Sequence, residues 1–176
     1  TLTDPYLTQD YLLDGPLRAF SILAFYAFTF FAVGYMEEVI FRGYILQNLA
    51  SWMGLRAAIV IQAVLFALVH LGNVVLPDES GKVPNLAQSL WDARWAMLNI
   101  TLIGIFFALC YLKSGSLWWP IGFHAAWNFF LGCVWSLPVS GIEVYRVLDV
   151  QIASDSTLTG GVFGPEGSFL LTPLLL

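Results

Sequence analysis

The chain has 176 residues, 59% of them hydrophobic and 11% charged, with a net charge of −5 at pH 7. A soluble domain carries roughly 25% charged residues, so this composition, with a mean hydropathy of +0.77, excludes an ordinary soluble globule and predicts an all-α, multi-span transmembrane helix bundle. No basic stripe exists to neutralise phosphates, which excludes nucleic acid as a partner.

Residues 1–16 are polar, with Asp4, Pro5, Asp10, Asp14, Gly15 and Pro16, and read as a loop or interfacial segment. Leu17 to about Leu49 is a helical run longer than the roughly 20 residues that cross a bilayer, expected to tilt or to break near Gly34 or Gly43. A turn at Ser51–Arg56 leads to a second span, Ala57–Leu71, stopped by Gly72-Asn73. Asn73–Arg94 is a polar connection. Trp95–Leu112 and Leu117–Leu137 are a third and a fourth span, joined by a tight link at Lys113–Gly115 and free of Asp, Glu, Lys and Arg. Pro138–Gly167 is polar and Gly-rich, and Ser168–Leu176 starts another apolar segment. Cys110 and Cys133 fall in apolar runs without metal or disulfide spacing, and read as small core residues. Trp91, Trp95, Trp118, Trp119 and Trp135 sit near span ends, as in an interfacial belt, whereas Trp127 is mid-span and reads as packing or a pocket wall. The short links carry Arg56 and Lys113, and the opposite side carries Asp78, Glu79, Asp92, Glu143, Asp149 and Asp155, which places the links on the cytoplasmic side. Thr1 in place of a methionine and the apolar Leu174-Leu175-Leu176 at the end read as a chain cut at both ends.

The first span holds Glu37-Glu38-Val39-Ile40-Phe41-Arg42, although Ala19–Met36 has no charge and Val39–Trp52 has only Arg42. Charges at membrane depth are expensive unless paired or facing a wet cavity. On a helix Glu38 and Arg42 are i,i+4 neighbours in the favourable order. Glu37 lies roughly 140° away from Arg42, so it keeps a charged neighbour and no local cation, the setting of a proton-handling glutamate. A buried charge cluster that only fixes helix packing is the bland alternative.

Both histidines of the chain also lie in apolar spans: His70 closes Phe66-Ala67-Leu68-Val69-His70, and His124 opens His124-Ala125-Ala126-Trp127-Asn128. At about 1.5 Å per residue, Glu37 and His70 are each roughly 20 Å from the turn that joins their spans, so they can meet. His124 is only about 10 Å from its own link if its helix starts at Leu117. Pro120 favours a first helical turn and an extended residue before it, so residues 115–119 are expected to dip inward as extended chain and carry His124 deeper.

A glutamate, two histidines and an asparagine can hydrolyse an amide. Glu37 removes a proton from water as general base, and His70 orients that water or passes the proton on. His124 and Asn128 donate to the tetrahedral oxyanion. Two histidines and a carboxylate also form a catalytic zinc set, but the His-Glu-x-x-His spacing is missing, so no cofactor is expected and zinc is the alternative. A proton-coupled transporter would use the same groups as a relay, although no inverted repeat is apparent. A non-catalytic immunity or scaffold protein would keep the helices without needing the constellation.

Glu37-Glu38-x-x-x-Arg42, Phe66-x-x-x-His70 and His124-x-x-x-Asn128, one set per span and in this order, resemble the CAAX-processing and bacteriocin-processing family of membrane proteases. The family is also called the type II CAAX prenyl endopeptidase or Abi family. The resemblance covers Leu17 to about Leu137, and the tail Gly160–Ser168 is similar to that of bacterial members. It implies one membrane-embedded protease domain over 1–176 with its catalytic core at about 17–137. It implies Glu37 and His70 as water-activating residues, His124 and Asn128 as transition-state ligands, and Glu38, Arg42 and Phe66 as support. It further implies a peptide or protein substrate, with or without a lipid, contact with membrane lipid, and a multi-pass protein of the bacterial plasma membrane.

Overall fold

A computed structural model describes residues 8–75, 85–148, 150 and 156–176. Helix α1 runs Gln9–Glu38, with Gly15 non-helical at φ 72, ψ 164. That left-handed φ is open to glycine, and Pro16 behind it suits a first helical turn. Residues 9–14 are thus a helical turn rather than a loop, set off by a kink at Gly15 from the long helix that starts at Pro16. Neither Gly34 nor Gly43 breaks the long run. Instead the helix widens at the charged stretch into a π-helix, Val39–Ile45, and resumes as α2, Leu46–Met53. Such widened turns occur often at functional sites.

Five helices follow: α3 (Leu55–His70), α4 (Gly72–Val75), α5 (Leu86–Asp92), α6 (Arg94–Ser114) and α7 (Trp118–Phe129), the last extended by a π turn, Phe130–Val134. Helix α1 packs on α7, α3 on α6, and α2 on α3. Small residues make the α3–α6 contact close: Ala58, Ala63, Ala67, Ala96 and Ala108 are buried, as in helix pairs that associate without a hydrophobic driving force. A Cβ on Gly104 would stand 3.0 Å from the Cα and Cβ of Ala63, so only glycine fits there without a shift. Gly34 plays the same part between α1 and α7, where a Cβ would lie 3.3 Å from Ala125 N and 3.5 Å from His124 Cβ.

No strand occurs among the described residues, and Val139 and Ile142 form an isolated antiparallel bridge. Among the described residues, two stretches are long and apolar enough to cross a membrane, Gly15–Met53 with 39 residues and Arg94–Ser114 with 21. The expected second span is a helix of 16 residues, about 24 Å against a hydrocarbon core of about 30 Å. The expected fourth span is shorter than Leu117–Leu137, because the π turn ends at Val134.

Residues 115–119 do not descend as extended chain. Gly115 is left-handed and closes α6 with its N–H on Tyr111 O, and Leu117 is already helical at φ −71, ψ −17. The Ser114 and Ser116 hydroxyls accept from the Ser116 and Trp118 N–H groups, which turns the chain within three residues. The close approach at Gly34, rather than an extended dip, brings His124 to the glutamates.

The tail consists of α8 (Ser156–Thr159), three short 3₁₀ turns (Gly161–Phe163, Pro165–Gly167, Phe169–Leu171) and α9 (Thr172–Leu175). It is tied to α6 by Asn99, which is fully buried. Asn99 Nδ2 donates to the carbonyls of Glu166 and Ser168, both at 2.8 Å, and its Oδ1 accepts from Thr172 at 2.7 Å. Gly164 has φ +80, and a Cβ there would stand 2.1 Å from Pro138 O. Asp78, Glu79, Asp149 and Asp155, used above for orientation, lie outside the described residues, as do Asp4 and Pro5.

Candidate active site

The widened turn at Val39–Ile45 carries a buried ion pair. Arg42 Nη1 lies 2.8 Å from Glu38 Oε1, with both side chains fully buried. Arg42 Nη2 donates to Gly104 O at 3.1 Å, and Gln62 Nε2 donates to the same carbonyl. The guanidinium also lies 4.4 Å from the centroid of the Phe66 ring and 5.2 Å from that of Phe107, where ring faces attract a cation. Breaking a buried pair strands a charge, which is strongly destabilising, so Arg42 and Glu38 act as one unit.

His124, from α7, reaches this unit from the other side. Its Nδ1 lies 3.0 Å from Glu38 Oε1, the oxygen that also receives Arg42. Its Nε2 faces the second glutamate, 3.7 Å from Glu37 Oε2. His70, at the end of α3, approaches the same oxygen, with Nε2 at 3.9 Å. Thus Glu37, His70 and His124, drawn from three helices, meet at one carboxylate oxygen. Glu37 Oε2 is itself buried and makes no hydrogen bond within the protein.

The partners fix the ring protons. His70 Nδ1 lies 2.8 Å from Phe66 O, and a carbonyl only accepts, so Nδ1 carries the hydrogen. In the neutral ring Nε2 is then an acceptor facing Glu37. His124 Nδ1 likewise donates to the Glu38 carboxylate, so its Nε2 becomes a donor only in the imidazolium form. Phe66 therefore does three things: its carbonyl sets the His70 tautomer, its ring meets His70 edge-on at 4.7 Å, and it lies beneath Arg42. Phe107 stacks on His124, with centroids 5.3 Å apart and an interplanar angle of 24°.

Asn128 is buried one turn beyond His124. It lines two cavities. The larger, of about 530 Å³, contains Glu37, His70, His124, Asn128, Thr29, Asn73 and Ser140 among its walls. The smaller, of about 300 Å³, shares His70, His124, Asn128 and Ser140, and is otherwise lined mainly by apolar groups such as Ile103, Phe106, Phe123 and Leu174. The four shared residues stand at the junction of the two cavities, within reach of a chain lying in either.

Residue spacing does not single out three buried polar residues near the site, Glu166, Asn99 and Gln62. Glu166 sits in the wall of the smaller cavity and is 5% exposed. Asn99 lies inside the third span, expected to be free of formal charge. A carboxylate in a Gly/Pro-rich tail gives no periodic signal, and an uncharged amide in a span gives no charge signal. The pattern Gly164-Pro165-Glu166-Gly167 was the available clue to Glu166. Trp127 is a cavity wall.

Among the described residues no group of three His, Cys, Asp or Glu side chains is arranged to hold a metal ion. Comparison with protein families finds a match over residues 19–130 to a family described as Type II CAAX prenyl endopeptidase Rce1-like. The match spans well over half of the chain and takes in Glu37, Glu38, Arg42, Phe66, His70, His124 and Asn128, but not Ser140 or Glu166. No curated protein and no solved structure matches.

Proposed function

Since the chain belongs to the Rce1-like family of type II CAAX prenyl endopeptidases, whose members are membrane-embedded proteases, we propose that it is a multi-pass endopeptidase that hydrolyses a peptide bond with water activated by Glu37. The observation that carries this reading is the convergence of His70 Nε2 and His124 Nε2 on Glu37 Oε2, at 3.9 and 3.7 Å. Those separations are too long for direct hydrogen bonds and suit one bridging water.

A water between Glu37 and His70 donates one hydrogen to Glu37 Oε2 and the other to His70 Nε2. Its free lone pair then points away from both and toward a substrate carbonyl. As the oxygen attacks, the proton passes to Glu37, the general base. The carbonyl oxygen becomes an oxyanion. Asn128 Nδ2 and the imidazolium Nε2 of His124 donate to it, a role in which each fixed donor is worth about 10²–10³ in rate. When the intermediate collapses, the C–N bond breaks and Glu37 returns its proton to the leaving amine. One water is consumed and Glu37 is restored. Glu38 and Arg42 hold His124 from behind, and Phe66 holds His70.

The substrate is a peptide or protein segment entering from the membrane, with or without a lipid, and no cofactor takes part. A bacterial plasma membrane is the proposed setting. The test is to incubate the purified chain in bilayers with a peptide library, with and without prenyl groups, and to read new termini by mass. Cleavage at defined bonds is expected, and a library left intact in both forms overturns the proposal.

A further inference from the structure

Glu166 lies beyond the matched family segment and has no part in the steps above, yet its buried carboxylate is engaged on both oxygens. Oε1 accepts from Trp127 Nε1 at 3.0 Å. Oε2 accepts from Ser140 twice, from the backbone N–H and from the hydroxyl, both at 2.7 Å. These are hydrogen bonds to a carboxylate, the stronger kind. They tie three separate parts of the chain together at the cavity: the tail, the turn after the π segment, and α7. We propose that Glu166 is a positioning residue, a clamp that holds the His124–Asn128 turn of α7 and the Ser140 turn in register across the cleavage site. The proposal rests on the protease reading given above.

Three observations support the clamp. First, Trp127 lies between the two groups that face the oxyanion, three residues after His124 and one before Asn128. A bond to its indole N–H therefore restrains the rotation of that turn, and donor placement to a fraction of an ångström matters for catalysis. Second, Ser140 has φ 48, a left-handed conformation that non-glycine residues hold only when their surroundings over-determine it. Here the surroundings do so: Glu166 takes its N–H and hydroxyl, and Asn73 Nδ2 donates to its carbonyl at 2.8 Å. Third, the clamp is anchored from behind. Asn99 on α6 holds the Glu166 carbonyl, and Gly167 N bonds to Gly164 O at 2.8 Å. A side chain on a mobile loop would not need this support, whereas one that sets the geometry of a site would.

The test compares Glu166→Gln and Trp127→Phe with the wild type, each as the full chain in micelles or bilayers. Glutamine keeps the volume but offers one acceptor oxygen where two are used, so its amide must face a donor. Two readouts are taken. In a ¹⁵N-labelled sample the Trp127 indole resonance, assigned by its loss in Trp127→Phe, is expected to move and its hydrogen to exchange faster in Glu166→Gln. In cleavage assays Glu166→Gln is expected to lower kcat by about 10-fold or more with KM changed less than about 3-fold, a misplaced transition-state donor rather than lost binding. The double variant is expected to be little worse than the poorer single variant, because both remove the same link. An unmoved indole resonance, an unchanged kcat per folded molecule, or losses that multiply in the double variant would each overturn the clamp. Normal wild-type cleavage together with any of these leaves the protease reading standing while the clamp falls. If the wild type cleaves nothing, the protease reading falls and the indole resonance alone decides whether Glu166 holds Trp127.

Discussion

The imidazole of His124 and the carboxylate of Glu38 are joined at 3.0 Å across 86 positions of sequence. Because Arg42 binds the same oxygen, an unbroken chain runs from the guanidinium to the ring that faces Glu37. The two adjacent glutamates thus have different partners and different proposed work. Glu38 is fully buried and orients a histidine, while Glu37 offers an oxygen to the cavity.

Arg42→Ala strands Glu38 and loosens His124. Breaking a buried pair costs roughly 3–5 kcal/mol, so thermal unfolding in detergent should shift well downward and cleavage should fall with it. A variant with unaltered unfolding and unaltered activity would show that the pair supports neither.

Asn128 separates the oxyanion donors from the base. Asn128→Ala removes a donor and leaves Glu37 in place, so the cleavage rate per folded molecule should fall by about 10²–10³. An unchanged rate would show that Asn128 does not face the oxyanion.

Gly104→Ala tests the packing under Arg42. The added methyl meets Ala63 at 3.0 Å, and the Gly104 carbonyl is the shared acceptor for Arg42 and Gln62. Overpacking of this kind costs about 1–3 kcal/mol, so unfolding should come earlier and activity should drop. Wild-type stability would mean that α3 and α6 separate without strain.

A chelator distinguishes the metal-free reading from a zinc enzyme. Prolonged dialysis against EDTA or phenanthroline should leave cleavage unchanged. Inactivation that added zinc reverses would move Glu37, His70 and His124 from proton transfer to metal binding.

Much of this geometry can be read from residue spacing. The Glu38–Arg42 pair follows from four-residue separation on a helix, and it survives the local widening to a π turn. Helix α6 begins within one residue of the expected third span, because a polar connection and Gly115 bound it. The equal depth of Glu37 and His70 follows from counting residues outward from their shared turn. What spacing does not contain is contact across the bundle. His124 was expected to descend on an extended segment, but the glycine at position 34, which admits α7 close to α1, places it instead. Its bond to Glu38 depends on that approach. Glu166 reaches the cavity from a tail that Asn99 ties to α6, a contact across 67 residues. Neither leaves a periodic trace in the sequence.

The central claim is that Glu37 is the base, and its most direct test is the cleavage rate of Glu37→Gln measured beside the wild type on the same peptide. Glutamine preserves shape and hydrogen bonding but cannot take the proton of water at neutral pH. The rate should fall by about 10²–10⁴, and unfolding should stay near that of the wild type. Full activity in Glu37→Gln would contradict the claim.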